Sequence, residues 1–125
     1  MKIVLYDASV LYSGLLRDLL MRLARTGLFQ AKWTDAIHEE WIRALQMNRP
    51  DLPLANHERV RRLMDAALPD ALVTGYEDLI SDLTLPDEND RHVLAAAIHC
   101  KATIIVTFMA NCTNVDHAKV STMRL

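Results

Sequence analysis

The chain opens on a short apolar run, Lys2 to Tyr6, which stops at Asp7. A run of that length without polar alternation reads as a strand buried on both faces, the habit of parallel sheets. Thr103 to Phe108, TIIVTF, repeats the signal near the other end. Between the two the pattern turns helical. Leu15, Leu16, Leu19, Leu20 and Leu23 form one face of a helix from Ser13 to Thr26; Arg17, Asp18, Arg22 and Arg25 face away, and Gly27 ends it. Leu28 to Trp33 reads as a second short strand, and Thr34 or Asp35 caps a helix through Met47 with Ile37, Trp41, Ala44 and Leu45 on its buried side.

Past a loop bounded by Pro50 and Pro53, a helix beginning at Asn56 or His57 runs to Ala67 and carries Arg59, Arg61 and Arg62, the densest positive charge in the chain. Pro69 closes it, Ala71 to Thr74 reads as extended, and Tyr76 to Leu83 as one short helix. The stretch from Leu85 to Ala102 starts with a proline and three acids, then turns Ala-rich, with Val93, Ala96, Ala97 and Cys100 at the spacing of a buried helical stripe. AKVSTM, from Ala118 to Met123, is an edge-strand candidate. Strong strands at opposite ends with helices between them predict an α/β fold, a parallel sheet with helices on both faces.

Composition adds bounds. With 125 residues, 51% of them hydrophobic, the chain is expected to be a single domain, 1–125, with a real core. A net charge of −2 gives no molecule-wide basic field, so any polyanion would be held by local patches or bound cations. Two cysteines, Cys100 and Cys112, without a C-x-x-C pair suit a reducing compartment. The N-terminal apolar run falls far short of a signal-peptide core or a membrane span, so a cytoplasmic protein with no membrane partner is expected.

The candidate chemistry lies in three carboxylates. Asp7 follows a strand, at the sheet end where open α/β folds bind ligands. Glu40 shares the apolar side of its helix more nearly than Glu39, and an ionised acid there wants a partner. Asp90 opens the helix that leads to the last central strand. Asp7 and Asp90 also have a plainer reading as caps at helix N-termini, and the arginines suit solvated faces. If the three acids meet, their repulsion calls for protons or cations between them, and an all-oxygen cluster suits magnesium or manganese. His38 and Glu39 begin an HExxH motif, but Ile42 stands where the second histidine belongs, and the five histidines show no ligand spacing, so zinc is discarded. An aspartyl phosphotransferase would want a second Asp where the chain has Ser9.

Taken together, VLYDASVLYS around Asp7, LRDLLMRLARTGLF, WTDAIHEEW around Glu40, PDALVTGYEDLI, LPDENDRHVLAAAI around Asp90 and IIVTF resemble, in order, the PIN-domain nucleases, in particular their bacterial toxin–antitoxin (VapC-like) branch. The resemblance implies a three-layer α/β/α sandwich with a central parallel sheet, and a ribonuclease dependent on Mg2+ or Mn2+. Its implied partners are an RNA substrate, a cognate antitoxin and a second copy in a homodimer. It assigns Asp7, Glu40 and Asp90 to the catalytic metal site, with Asp87 as a neighbouring acid and Glu39 as the fallback for Glu40. The likeness departs after the last central strand: Met109, Cys112 and Thr113 stand where that branch has an Asn, an Asp and an aromatic. The tail from about residue 109 is therefore atypical, with Asn111 or Asp116 as stand-ins for the fourth polar group.

Overall fold

The computed structural model describes residues 2–82, 88–109 and 119–124, with side chains for residues 2–81 and 91–107. In chain order the elements are β1 (Lys2–Tyr6), α1 (Ala8–Leu11), α2 (Gly14–Arg25), β2 (Phe29–Lys32), α3 (Asp35–Asn48), α4 (Leu54–Ala67), a 3₁₀ turn (Glu77–Asp82), α5 (Glu88–His99), β3 (Ile104–Met109) and β4 (Lys119–Arg124). The sheet order is β2-β1-β3-β4, with β1 parallel to β2 and β3, and β4 antiparallel along the edge of β3. Beyond β2 the extended segment at Ala71–Val73 continues the sheet: Trp33 donates to the Ala71 carbonyl at 3.0 Å and Val73 donates to the Trp33 carbonyl at 2.8 Å.

That topology decides which face each helix covers. The steps from β1 to β2 and from β2 to the Ala71–Val73 segment run in one direction, and the step to β3 runs back past both. Right-handed crossovers then put α1 to α4 on one face and α5 on the other, giving three layers. α5 can lie close because Ala95, Ala96 and Ala97 are all fully buried. Val4, Leu5, Ile105 and Val106 fill the sheet centre, and Tyr6, Val10, Leu11, Trp33, Ile37 and Trp41 fill the layer under α1 and α3.

Local chemistry sets the boundaries. Ser13 Oγ accepts from the Leu16 N–H and Thr34 Oγ1 from the Ile37 N–H, satisfying donors that α2 and α3 would otherwise leave open. Gly27, at φ +82°, takes the left-handed conformation after α2 that a side chain would resist. α4 starts right after Pro53, two residues earlier than the spacing suggests. The segment after Tyr76 is a 3₁₀ turn rather than an α-helix.

One expectation is corrected outright. α2 buries Leu20 and Ala24, while Leu15, Leu19 and Leu23 are 82%, 50% and 39% exposed. Arg17, expected to face away, turns inward: Nη1 donates to the Leu11 carbonyl at 2.8 Å, and Cζ sits 4.8 Å from the centre of the Trp41 ring. Hydrogen bonding and cation–π attraction hold the guanidinium against the protein, where burial lowers its pKa. Among the described residues no helix is long and apolar enough to cross a membrane.

Candidate active site

The carboxyl ends of the parallel strands define the mouth. Asp7, the first residue past β1, stays fastened to the sheet because its N–H donates to the Val106 carbonyl at 3.0 Å. Its Oδ1 accepts from the Ala8 N–H at 2.8 Å, capping α1. Its Oδ2 accepts from Ser9 Oγ and from Thr107 Oγ1, both at 3.0 Å, and the two hydroxyls lie 3.1 Å apart. The cap reading holds for one oxygen, and the other oxygen takes the hydroxyl pair. These donors occupy three of the roughly four lone-pair positions of a carboxylate, which fixes its orientation and leaves room for one further partner.

Glu40 reaches the same mouth from α3. Its Oε1 is hydrogen-bonded to Nε2 of His92, tying α3 to α5 across the layers. Glu39 is exposed, so of the two neighbouring acids it is Glu40 that meets α5. Asp90 lies in the first turn of α5, two residues before His92, which brings that turn of backbone beside Glu40. The side chain of Asp90 lies outside the described side chains, and Asp87, Asn111, Cys112, Thr113 and Asp116 lie outside the described residues. Met109 ends β3, and its side chain is likewise not among those described.

Next to the acids opens a cleft of about 350 Å³ lined by Ala8, Ser9, Tyr12, Glu40, Trp41 and Ala44. Ser9, bonded to Asp7, and Glu40 therefore border one space. Among the described residues no three His, Cys, Asp or Glu side chains come together as a metal cage. Asp7 and Glu40 are oxygen donors suited to a hard divalent cation, and a third acid would have to come from the first turn of α5.

Behind the mouth a buried network braces α3. Trp41 Nε1–H donates to His38 Nδ1 at 3.0 Å, so the His38 proton sits on Nε2, which lies 3.0 Å from Asp65 Oδ1. The same oxygen accepts from Trp33 Nε1 at 2.7 Å. Burial lowers the His38 pKa despite the Asp65 carboxylate. A protonated ring would also aim an N–H at the N–H of Trp41.

Ser9, His92 and Asp65 were not visible as site or bracing residues in the sequence. A serine two after the strand acid and a histidine two after the helix acid are faint signals, because the contacts span 98 residues from Ser9 to Thr107 and 52 from Glu40 to His92. The chain matches no curated protein and no solved structure. A family model described as the PIN domain does match, over residues 3–108, a span that holds Asp7, Glu40, Asp87 and Asp90. With most of its length so matched, and with the α/β sandwich described above, the chain belongs to the PIN domain family, whose members are usually nucleases.

Proposed function

We propose that this protein is a metal-dependent endoribonuclease that hydrolyses RNA phosphodiester bonds, and that it is the toxin of a VapC-like toxin–antitoxin pair acting in the cytoplasm. The observation that carries the nuclease reading is the meeting at one sheet end of Asp7, held by Ala8, Ser9 and Thr107, with Glu40, held by His92. Asp7, Glu40 and Asp90 would hold Mg2+ or Mn2+, with Asp87 as a supporting acid. Such an ion, when bound, supplies a Lewis acid toward phosphate oxygens and makes water more acidic. The chain's own work is to orient: the Ser9 and Thr107 hydroxyls fix Asp7, and His92 fixes Glu40 so that it can hold the ion or orient the attacking water.

The partner part of the reading is supported by uncovered apolar surface. Leu15, Leu19 and Leu23 lie exposed on α2, beside a groove of about 400 Å³ against α4 lined by Leu15, Met21, Leu63 and Met64, among others. Contiguous exposed apolar surface of this kind marks interaction sites, and a cognate antitoxin or a second copy of the chain is the proposed occupant.

The test is cleavage of a mixed set of single-stranded RNAs with manganese, with magnesium and with chelator, beside Asp7→Asn and Asp90→Asn. Cutting with either ion, abolished by chelator and reduced on the order of 100-fold or more in each folded variant, is the expected result. Metal-dependent cutting that persists in Asp7→Asn would sink the assignment. The substitution of Met109 for a polar family residue favours a second reading, a catalytically impaired module that binds RNA or protein. Absence of cutting by a folded chain would select it.

A further inference from the structure

We infer that the outer edge of β2 is a docking site for an extended peptide segment of a partner protein, which joins the sheet as a short added strand. The inference does not depend on the ribonuclease reading, because it uses none of the residues at the mouth.

The backbone carries the argument. Along a strand the N–H and C=O of one residue point to one side, and those of the next residue point to the other. Trp33 turns both groups to the Ala71–Val73 segment. Ala31 and Phe29, two and four residues earlier, therefore point theirs the same way, while Gln30 and Lys32 face β1. The Ala71–Val73 segment does not follow β2 that far back: the Ala71 N–H donates to the Leu68 carbonyl at 3.0 Å, a turn that takes the chain away toward α4. Among the described residues the outward N–H and C=O groups of Phe29 and Ala31 have no partner. Beside them lies a groove of about 600 Å³, walled by Ala24 near the end of α2 and by Leu68, Pro69 and Asp70. Ala31 is only 6% exposed, which puts this part of the edge on the groove floor.

That geometry selects the occupant. Two N–H and two C=O groups, repeating at about 7 Å along one line, match another extended backbone. Water can satisfy the four groups singly, whereas a strand satisfies them together. β2 has four residues, and Lys32 Nζ, donating to the Asp70 carbonyl at 2.6 Å, spans the end of the groove next to Ala71. The added segment is therefore about four residues long. Its side chains alternate between two environments: apolar ones toward Ala24, Phe29 and Leu68, polar ones beside Gln30 and Lys32. A second folded copy cannot offer its own β2, because that edge is recessed in the same way. The segment is a tail or loop of another protein that is already extended.

The experiment uses the whole chain. Peptides are selected from a random octapeptide display library on the folded wild-type protein, synthesised with blocked ends and titrated while amide hydrogen exchange is followed residue by residue. In the free chain the Phe29 and Ala31 amides should exchange about tenfold or more faster than those of Gln30 and Lys32, and saturating peptide should remove that difference. Methylating a peptide nitrogen that faces β2 should weaken binding about fivefold, and methylating its neighbour, which faces away, should not. Ala31→Pro removes one outward N–H at an edge position, where proline is tolerated, and should weaken the same peptide by a similar factor. If that variant does not fold, the methylated peptides test the same bonds on the wild-type chain. Free-state exchange at Phe29 and Ala31 as slow as at Gln30 and Lys32 would show the edge already paired and overturn the proposal. Failure to select any peptide overturns it too, as does a selected peptide that leaves both amides unprotected or binds equally well whichever nitrogen is methylated.

Discussion

Thr107 shows how much of the mouth depends on single hydroxyls. Its Oγ1 donates to Asp7 at 3.0 Å from β3, 100 residues away in the chain. Thr107→Val keeps the β-branched shape that suits a strand and removes only that donor. The expected cost in stability is about 1 kcal/mol; on the proposed reading of Asp7 as a metal ligand, RNA cleavage should fall roughly 10- to 100-fold, the usual effect of removing a partner that orients such a ligand. Thr107→Ser should restore most of the rate. Equal loss in Val and Ser variants would assign the threonine to packing alone. His92 plays the corresponding part for Glu40: His92→Ala should raise the manganese concentration needed for half-maximal cutting, while His92→Gln, which keeps an N–H donor, should recover part of it. A titration with the same midpoint in all three proteins would show that Glu40 needs no tether.

At the scale of elements, α3 carries both the face that presents Glu40 to the candidate site and the buried brace behind it. His38 must stay neutral, since Nδ1 accepts from Trp41 and burial lowers its pKa below the ordinary 6.5. The unfolded chain therefore binds this proton more readily than the folded one, so the stability contribution is complete above about pH 6.5 and is lost as pH falls below it. Urea midpoints measured from pH 8 to pH 5 should drop more steeply for wild type than for His38→Gln, which has no ring to protonate; parallel curves would remove His38 from the acid response. The same helix shows what the sequence could disclose. Apolar periodicity located α3 and its Ile37–Trp41 side, and ranked Glu40 above Glu39, because both follow from a 3.6-residue repeat. It could not show His38 joined to Asp65 of α4, a contact made only once two helices pack. In α2 the repeat grouped the leucines on one side but did not show their fate: of them only Leu20 is buried in the core, beside Ala24, and Arg17 packs over Trp41. Periodicity reports which residues share a face, and the direction that face turns is settled by the neighbours.

For the whole molecule, that misplaced face becomes the most informative surface. Leu15, Leu19 and Leu23 stand one turn apart on α2, outside a core that is already filled by Leu20, Ala24 and Met64. Burying them would contribute to binding rather than folding, at about 25 cal/mol per Å² of apolar area removed from water. Leu19→Glu should therefore leave the thermal midpoint of the isolated chain nearly unchanged, since substitutions at exposed sites are usually within about 0.5 kcal/mol. If the proposed antitoxin exists and docks on α2, the same change should abolish co-purification with the product of an adjacent reading frame when the two are expressed together. RNA cleavage by the chain alone should continue at the wild-type rate, because the mouth is built from other elements. If light scattering shows wild type to be a dimer and Leu19→Glu a monomer, with the adjacent product still bound, the stripe belongs to the second copy instead. A variant that keeps both its mass and its partner would show that these leucines cover neither interface.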